Sequence, residues 1–301
     1  MTARESRVPA RPGPPASRGE RSPVRRLGRP VQGGAAQAPS AAADVKARDP
    51  RLFVGSIEKA MAVLEVFETA GQPLSMSDVV ARTEIGRSAV QRFLYTLHHL
   101  DYLDRDPATK RYALGHKVLR LYRGFVGGRS TLERARHAML ELNRETRECT
   151  SWVELLKQEI VIVENLPSPQ ITAVTLAPGL RFEALSASSG QVLMAHAPAE
   201  TVERIFAASS PLARERAGAE DIGGLRRILD RVRAQGYALT TKAFDQESLS
   251  ISAPVFDARR IAVGAINLST LRSRFDRKEA MADLVPAVLA AARRASADGS
   301  L

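Results

Sequence analysis

Between Ser75 and Leu114 four consecutive elements restrict the fold more than any other stretch of the chain. Ser75-Met-Ser-Asp78 has the form of a capping box, with Asp78 where Glu or Gln is usual. It predicts a short helix through Arg82, with Val79 and Val80 facing inward. A break at Glu84-Ile85-Gly86 precedes a third helix from Arg87 to Leu100, whose apolar side is Val90, Phe93, Leu94, Leu97 and Leu100. Tyr102-Leu103, the polar turn Asp104-Arg-Asp-Pro-Ala-Thr109 and Arg111–Leu114 then read as a β-hairpin. An earlier helix from Ser56 carries Ile57, Ala60, Met61, Leu64 and Phe67 at helical spacing, with Gly71 and Pro73 as its stop. Three short helices followed by a two-stranded wing define a winged helix-turn-helix.

The third helix suggests what such a module would bind. From Ile85 to Leu100 it contains Arg87, Arg92, His98 and His99 and no acidic residue. In a helix-turn-helix the N-terminal part of this element enters the DNA major groove. Arg87, Ser88, Gln91 and Arg92 occupy that part, opposite the apolar side. Arg pairs with guanine O6/N7 and Gln with adenine N6/N7, each bidentate pair giving about 1–3 kcal/mol of discrimination. Ser88 and Tyr95 suit phosphates, which position the helix without reading sequence. Lys110 and Arg111 in the wing are placed for a flanking backbone or minor groove.

Net charge supports this less than it first suggests. The chain of 301 residues carries +11, but residues 1–50 hold ten Lys/Arg against four Asp/Glu, over half of the excess. That stretch is rich in Pro, Gly, Ala, Ser and Arg without apolar periodicity, and residues 1–51 read as a disordered basic tail. No run nears the ~18 apolar residues of a membrane helix, and the N-terminus lacks the apolar core of a secretory signal, so a cytoplasmic location without a membrane partner is expected. The single Cys149 excludes an internal disulfide or a cysteine metal cage, and it reads as a small buried hydrophobe.

Four segments are expected: the tail 1–51, the winged module 52–114, a linker and dimerisation helix 115–128, and a C-terminal domain 129–301. The linker is amphipathic through Val118, Leu119, Leu121, Tyr122 and Phe125 and ends at Gly127-Gly128. Beyond it we expect a helix over 132–147, strands over 151–156, 160–164 and 171–176, and a small-residue helix start at Ser186–Gly190 leading into Val192–His196. Helices over 198–208 and 224–234, strands over 237–240, 249–255 and 261–269, and a terminal helix over 276–295 complete it. Antiparallel strands with helices packed on them make an α+β domain.

No catalytic set assembles. His98, His99, His116, His137 and His196 have no ligand spacing, and GxSxG, GxxxxGK[ST] and a strand-following GxGxxG are all missing. No cofactor, metal or enzymatic activity is therefore expected. Polar residues do recur on the apolar C-terminal strands and at the glycine-containing helix start: Ser188, Ser189, Gly190, Ser250, Ser252, Asn267 and Ser269. Helix N–H groups after Ser188-Ser189 suit a carboxylate; equally, the serines could cap the helix and face solvent.

The order of motifs over 52–296 resembles the IclR family of bacterial regulators. The matching stretches are Ser56-Ile-Glu-Lys-Ala-Met-Ala-Val-Leu64, Ser88-Ala-Val-Gln-Arg-Phe-Leu-Tyr-Thr-Leu97, Tyr112-Ala-Leu-Gly115, Ser189-Gly-Gln-Val-Leu-Met-Ala195, Gln235-Gly-Tyr-Ala238 and Ile251-Ser-Ala-Pro-Val255. Asp245-Gln-Glu247 and Ala265-Ile-Asn-Leu-Ser-Thr270 look most like the branch controlling protocatechuate, p-hydroxybenzoate and β-ketoadipate catabolism. The resemblance implies a GAF-like effector domain, a small organic acid effector, double-stranded operator DNA of a catabolic operon, and a homodimer that can pair into a tetramer. RNA polymerase is a further candidate partner. The family's effector positions fall on Ser188, Ser189, Asp245, Ser250, Asn267 and Ser269, of which only Asp245 comes from the resemblance alone. This chain departs from the family where Glu247 runs directly into Ser248-Leu249-Ser250, without the usual intervening glycine. A contrasting reading is a GAF-like sensor or adaptor working through protein contacts, and the acid-free helix argues against it.

Overall fold

The computed structural model describes residues 49–241 and 247–297. Its first part has helices α1 (Gly55–Glu65), α2 (Met76–Arg82) and α3 (Arg87–His99), then the hairpin of β1 (Leu103–Arg105) and β2 (Tyr112–Leu114). The expected capping box is present: Ser75 Oγ accepts from the Asp78 N–H, and Asp78 Oδ2 accepts from the Ser75 N–H. One core joins Val63, Phe67, Leu74, Val79, Val90, Leu94, Leu97 and Leu103. A two-bond bridge between Leu74 and Tyr112 holds the wing to the segment before α2. Gly115 closes this part because a side chain there would meet the Asp101 carbonyl oxygen at 2.5 Å.

The apolar sides of two helices differ from expectation. α1 buries Val63 and leaves Ile57 and Met61 exposed, and Leu100 at the end of α3 is exposed as well. Residues 57, 61 and 64 and residues 60, 63 and 67 both have helical spacing, so periodicity alone permits either face. The neighbours decide: α1 turns Val63 towards α3, and Leu52, Val54, Ile57 and Met61 form an uncovered apolar side. α4 (Lys117–Val126) follows and buries none of its residues.

The remainder is built on a six-stranded antiparallel sheet in the order β5-β4-β3-β8-β7-β6. These strands are β3 (Cys149–Leu156), β4 (Glu159–Leu166), β5 (Arg181–Glu183), β6 (Ala238–Thr241), β7 (Ser248–Phe256) and β8 (Ala262–Leu271). One face packs against α5 (Ser130–Thr146) and α11 (Val285–Ala295) through Trp152, Ile251, Ile266 and Leu268. The other packs against α6 (Ser188–Ala195), α7 (Ala199–Ala208), α8 (Pro211–Ala217) and α9 (Ile222–Gln235) through Cys149, Val153, Ile160 and Ile162. Helices on both faces make β7 buried along nearly its whole length.

Three details correct the sequence reading. Residues 171–176 form no strand; Ile171 is fully exposed, while Val174 and Leu176 fold back into the core. The outer edge of β4 is taken instead by the segment after Pro178-Gly179, where Leu180 accepts from Ile162 and Phe182 lies opposite Ile160. α8 went unanticipated, although Ser210 caps it and Pro211 opens it. The terminal helix is interrupted: α10 (Arg277–Glu279) passes through a π turn over Ala280–Leu284 before α11. Pro286 has no N–H for the regular i→i−4 bond, and widening the preceding turn accommodates that loss.

Candidate nucleic-acid interface and effector site

α3 presents Arg87, Ser88, Gln91, Arg92 and Tyr95 on its exposed side while Val90, Leu94 and Leu97 face the core. Its N-cap is Gly86, which has no side chain to satisfy the first-turn N–H groups. One polar group of the helix turns inward, His98, whose Nδ1 lies 2.9 Å from the Leu103 carbonyl; His99 stays exposed, with its ring 4.1 Å from that of Tyr95. Those histidines hold the helix to the wing and to itself.

Between α3 and the wing lies a concavity of about 590 Å³. Its lining is Gln91, Arg92, Tyr95 and Thr96 of α3, Arg105, Thr109, Lys110 and Tyr112 of the wing, and Ser75, Met76 and Ser77 at the start of α2. Three cations face it and no carboxylate does. Arg87 and Ser88 sit at the helix start, outside this lining. Lys110 has positive φ in the wing turn, which Asp106 organises by accepting from Ala108 and Thr109. Those two backbone bonds, the one from Thr109 foremost, hold the Asp106 carboxyl below its usual pKa.

Arg111 is placed differently from Lys110. Its Nη1 donates to the Pro73 carbonyl at 3.0 Å and to Asp78 Oδ2 at 3.2 Å. The guanidinium therefore ties the wing to the capping box of α2, and with the Ser75 N–H, its largest contributor, lowers the Asp78 pKa. Arg105, which the sequence places in the wing turn without marking it as a contact, stands in β1 and lines the concavity.

The second site lies on the sheet face beneath α6. Ser188 Oγ is 2.8 Å from Ser252 Oγ, which donates to Asn267 Oδ1 at 3.0 Å. Asn267 Nδ2 donates to Ser269 Oγ at 2.8 Å, and Ser269 Oγ lies 3.1 Å from Ser250 Oγ. Ser188, Ser250, Asn267 and Ser269 are thus brought together, with Ser252 added. Ser189 is buried at the next position of α6, outside this chain of bonds. Asp245 lies outside the described residues.

Strand register explains the grouping. Ser151, Asn267 and Ser252 stand opposite one another on β3, β8 and β7. Cys149, Ser269, Ser250 and Thr240 form the next such row. Cross-strand partners share a face, so both rows point towards α6. Ser151 and Cys149 both donate to Asn165 Oδ1, at 2.8 and 3.1 Å. Cys149 is therefore buried as expected but polar in function, and burial above all pushes its thiol up to about 11. The Thr240 hydroxyl is buried without a partner. Among the described residues no group of three or more His, Cys, Asp or Glu could hold a metal ion, and no helix is long and apolar enough to cross a membrane.

A winged helix-turn-helix with an acid-free outward helix, followed by a helix-covered sheet with a buried polar face, is the architecture of a ligand-responsive transcription regulator. Comparison with known proteins agrees: the IclR helix-turn-helix domain matches residues 56–107, and the C-terminal domain of bacterial IclR transcriptional regulators matches 126–297. The chain belongs to the IclR family of bacterial transcriptional regulators. It is 29% identical over 242 residues to the Pca regulon regulatory protein of Pseudomonas putida, covering 80% of this chain and 82% of that protein. It is 27% identical to the p-hydroxybenzoate hydroxylase transcriptional activator of Acinetobacter baylyi, covering 78% and 87%. Among solved structures, a putative transcriptional regulator from Rhodococcus sp. RHA1 superposes with TM-score 0.70 at 27% identity, covering 81% of this chain and 97% of that one. An IclR homolog from Microbacterium hydrocarbonoxydans complexed with 4-hydroxybenzoate shares the fold, with TM-score 0.68 at 22% identity over 80% and 97%.

Proposed function

We propose that the chain controls a catabolic operon by binding operator DNA through α3 and the wing, in response to a small organic carboxylate held under α6. The observation that carries the DNA half is the cationic concavity between α3 and the wing, lined by Arg92, Arg105 and Lys110 without a carboxylate. Arg87, Gln91 and Arg92 read base edges in this reading; Ser88, Tyr95 and Lys110 contact backbone. Arg111 contributes by holding the wing in place. The segments are a tail over 1–51, a DNA-binding module over 52–114, a linker over 115–128 and an effector domain over 129–301.

The effector half rests on the two polar rows beneath α6 and on the unpartnered Thr240 hydroxyl at their end. Hydroxyls and amides on a buried face, beside the start of α6, suit a carboxylate better than an apolar ligand. Aromatic acids are the first class to try, because similar regulators are named for the Pca regulon and for p-hydroxybenzoate hydroxylase. Self-association follows from the exposed Leu52, Val54, Ile57 and Met61 at α1 and Leu119, Leu121 and Phe125 on α4. A homodimer covering that side, with pairing into a tetramer, fits this arrangement. An operator target places the protein in the cytoplasm, with RNA polymerase as a further partner.

The test is a mobility shift on the intergenic DNA beside the protein's own gene. Arg92→Ala should weaken operator binding by roughly 5- to 150-fold, the loss of one bidentate base contact, with an unchanged melting temperature. Equal affinity of variant and wild type would remove that role. A panel of aromatic and ring-cleavage acids should raise the melting temperature of the wild type, and a flat response across it would remove the carboxylate assignment.

A further inference from the structure

We infer that Arg105, rather than Arg111, is the wing's DNA-contacting arginine, and that it anchors a backbone phosphate in the concavity it shares with Arg92 and Lys110. The inference rests on the DNA-binding reading above and specifies how the wing serves it.

Two arginines of the wing are candidates, and their environments separate them. Arg111 is committed within the protein: one guanidinium nitrogen bonds both the Pro73 carbonyl and the Asp78 carboxylate. Using it for DNA would give up its bonds to Pro73 and leave Asp78 without its cation. Arg105 stands opposite Tyr112 in the hairpin register, with its guanidinium carbon 5.6 Å from the centre of the Tyr112 ring. That ring and the Leu74–Tyr112 bridge fix where the cation sits. From there it faces the same concavity as Arg92 and Tyr95 of α3 and Lys110 of the turn.

Arg105 and Lys110 face this open concavity from the wing, with Ser75, Ser77 and Thr109 around it, and that side of it matches a phosphate better than a base edge, while Arg92 on α3 remains free to extend into the groove. Base edges lie deeper in the groove and ask for a single extended side chain on the recognition helix. The concavity is flanked by α3 and the wing, so a phosphate seated there lies beside the groove that α3 would enter. The contact is therefore one that positions α3 without reading sequence.

A phosphate contact has a distinct signature in salt. Each neutralised phosphate contributes about 0.9 to the slope of log affinity against log salt. Arg105→Gln keeps a polar side chain beside Tyr112, two heavy atoms shorter than arginine, and removes its charge. Its slope should be shallower by about 0.9 per bound protomer. The affinity gap to wild type should then shrink about 3.5-fold per protomer when salt rises from about 50 to about 200 mM. The loss should be the same on operator and unrelated duplexes. Arg105→Lys should restore the slope, because a point charge suffices for a phosphate.

The measurement is fluorescence anisotropy of labelled duplexes titrated with the full chain at several salt concentrations, alongside a melting curve for each variant. A wild type with no salt-dependent duplex binding would overturn the DNA-binding reading itself. A wild type that binds, with an Arg105→Gln slope unchanged, would overturn this inference alone. A loss confined to the operator would show Arg105 reading bases and would also overturn it. If Arg105→Gln lowers the melting temperature, Arg105→Met serves in its place with the same readout.

Discussion

Removing the cation at Arg274 should destabilise the sheet domain more than removing the whole ion pair to which it belongs. Glu148 is only 1% exposed at the entry to β3, and Arg274 grips both its oxygens at 2.6 and 2.7 Å. The same guanidinium donates to the Thr172 carbonyl at 2.7 Å, so it joins the start of β3, the exit of β8 and the loop after β4. With the charges centred ~4 Å apart and an effective dielectric constant of ~20, their attraction is about 4 kcal/mol. Breaking a buried pair by losing one partner costs about 3–5 kcal/mol, because the other charge is left in place without compensation. Arg274→Met should therefore remove a large part of a stability that is about 5–15 kcal/mol in total for such a domain.

The asymmetry is the informative part. Glu148→Met combined with Arg274→Met removes both charges and should recover most of the loss, since apolar replacements of buried pairs are often neutral. The assay is urea unfolding followed by fluorescence of Trp152, the chain's only tryptophan and part of the same sheet. With a slope of ~2 kcal/mol per M, Arg274→Met should lower the midpoint by about 1.5–2.5 M. A single variant within about 1 kcal/mol of wild type, or a double variant no more stable than the single, would refute the argument. The first result would mean that water already solvates Glu148; the second would mean that packing around Arg274, not charge, sets the stability.

Three further outcomes follow from packing and titration. Gly190→Ala should lower the melting midpoint by roughly 2–12 °C, an overpacking cost of about 1–3 kcal/mol; the added carbon would sit 1.9 Å from the Ala184 carbonyl oxygen, which is backbone and cannot swing aside. Calorimetry on the purified variant checks it, and an unchanged midpoint would show that α6 can shift. Cys149 should resist maleimide in the folded protein at pH 8 and react on unfolding, because its thiol is buried and its pKa is raised from 9.0 to about 11. A raised folded-state pKa gives stability that is fully present below pH 9.0 and is lost as pH climbs towards about 11. Urea midpoints measured across that window should fall for wild type and stay flatter for Cys149→Ala.

Local signals made the DNA-contacting half legible. Ser75 and Asp78 announce α2, the acid-free run announces α3, and the Asp104–Thr109 turn announces the wing. Each of those is decided within a few residues. The choice between the two faces of α1 is decided elsewhere, by α3 covering Val63, and no periodicity in α1 contains it. The expected strand at 171–176 failed for a related reason. Its composition suits a strand, but the edge of β4 can hold only one partner, and the segment beyond Pro178-Gly179 takes it. The roles of Arg105 and Arg111 likewise depend on where Asp78 lies in space, not on their place in the wing.

The polar face under α6 was readable as a list of residues and not as a surface, and the reason lies in how alternation is interpreted. Ser248-Leu-Ser-Ile-Ser-Ala has the period of a strand with one wet side, and that reading would send the serines to solvent. Here helices cover both sides, so the side marked polar is buried as deeply as the side marked apolar. Burying hydroxyls costs free energy unless they are paired. Ser188, Ser250, Ser252, Asn267 and Ser269 pair with one another, while Thr240 does not. A network that is satisfied except at one end is stable enough to fold and leaves a bonding capacity that a ligand could complete. A ligand bound only by the folded state adds about 2.7 kcal/mol at a hundredfold excess over its dissociation constant. Thr270 on the opposite face is also buried without a partner, so it is the clustering of polar groups beneath α6, with Thr240 at their edge, that favours recognition over stability as the reason for this buried polarity: apolar side chains on the same strands would have packed the face at lower cost.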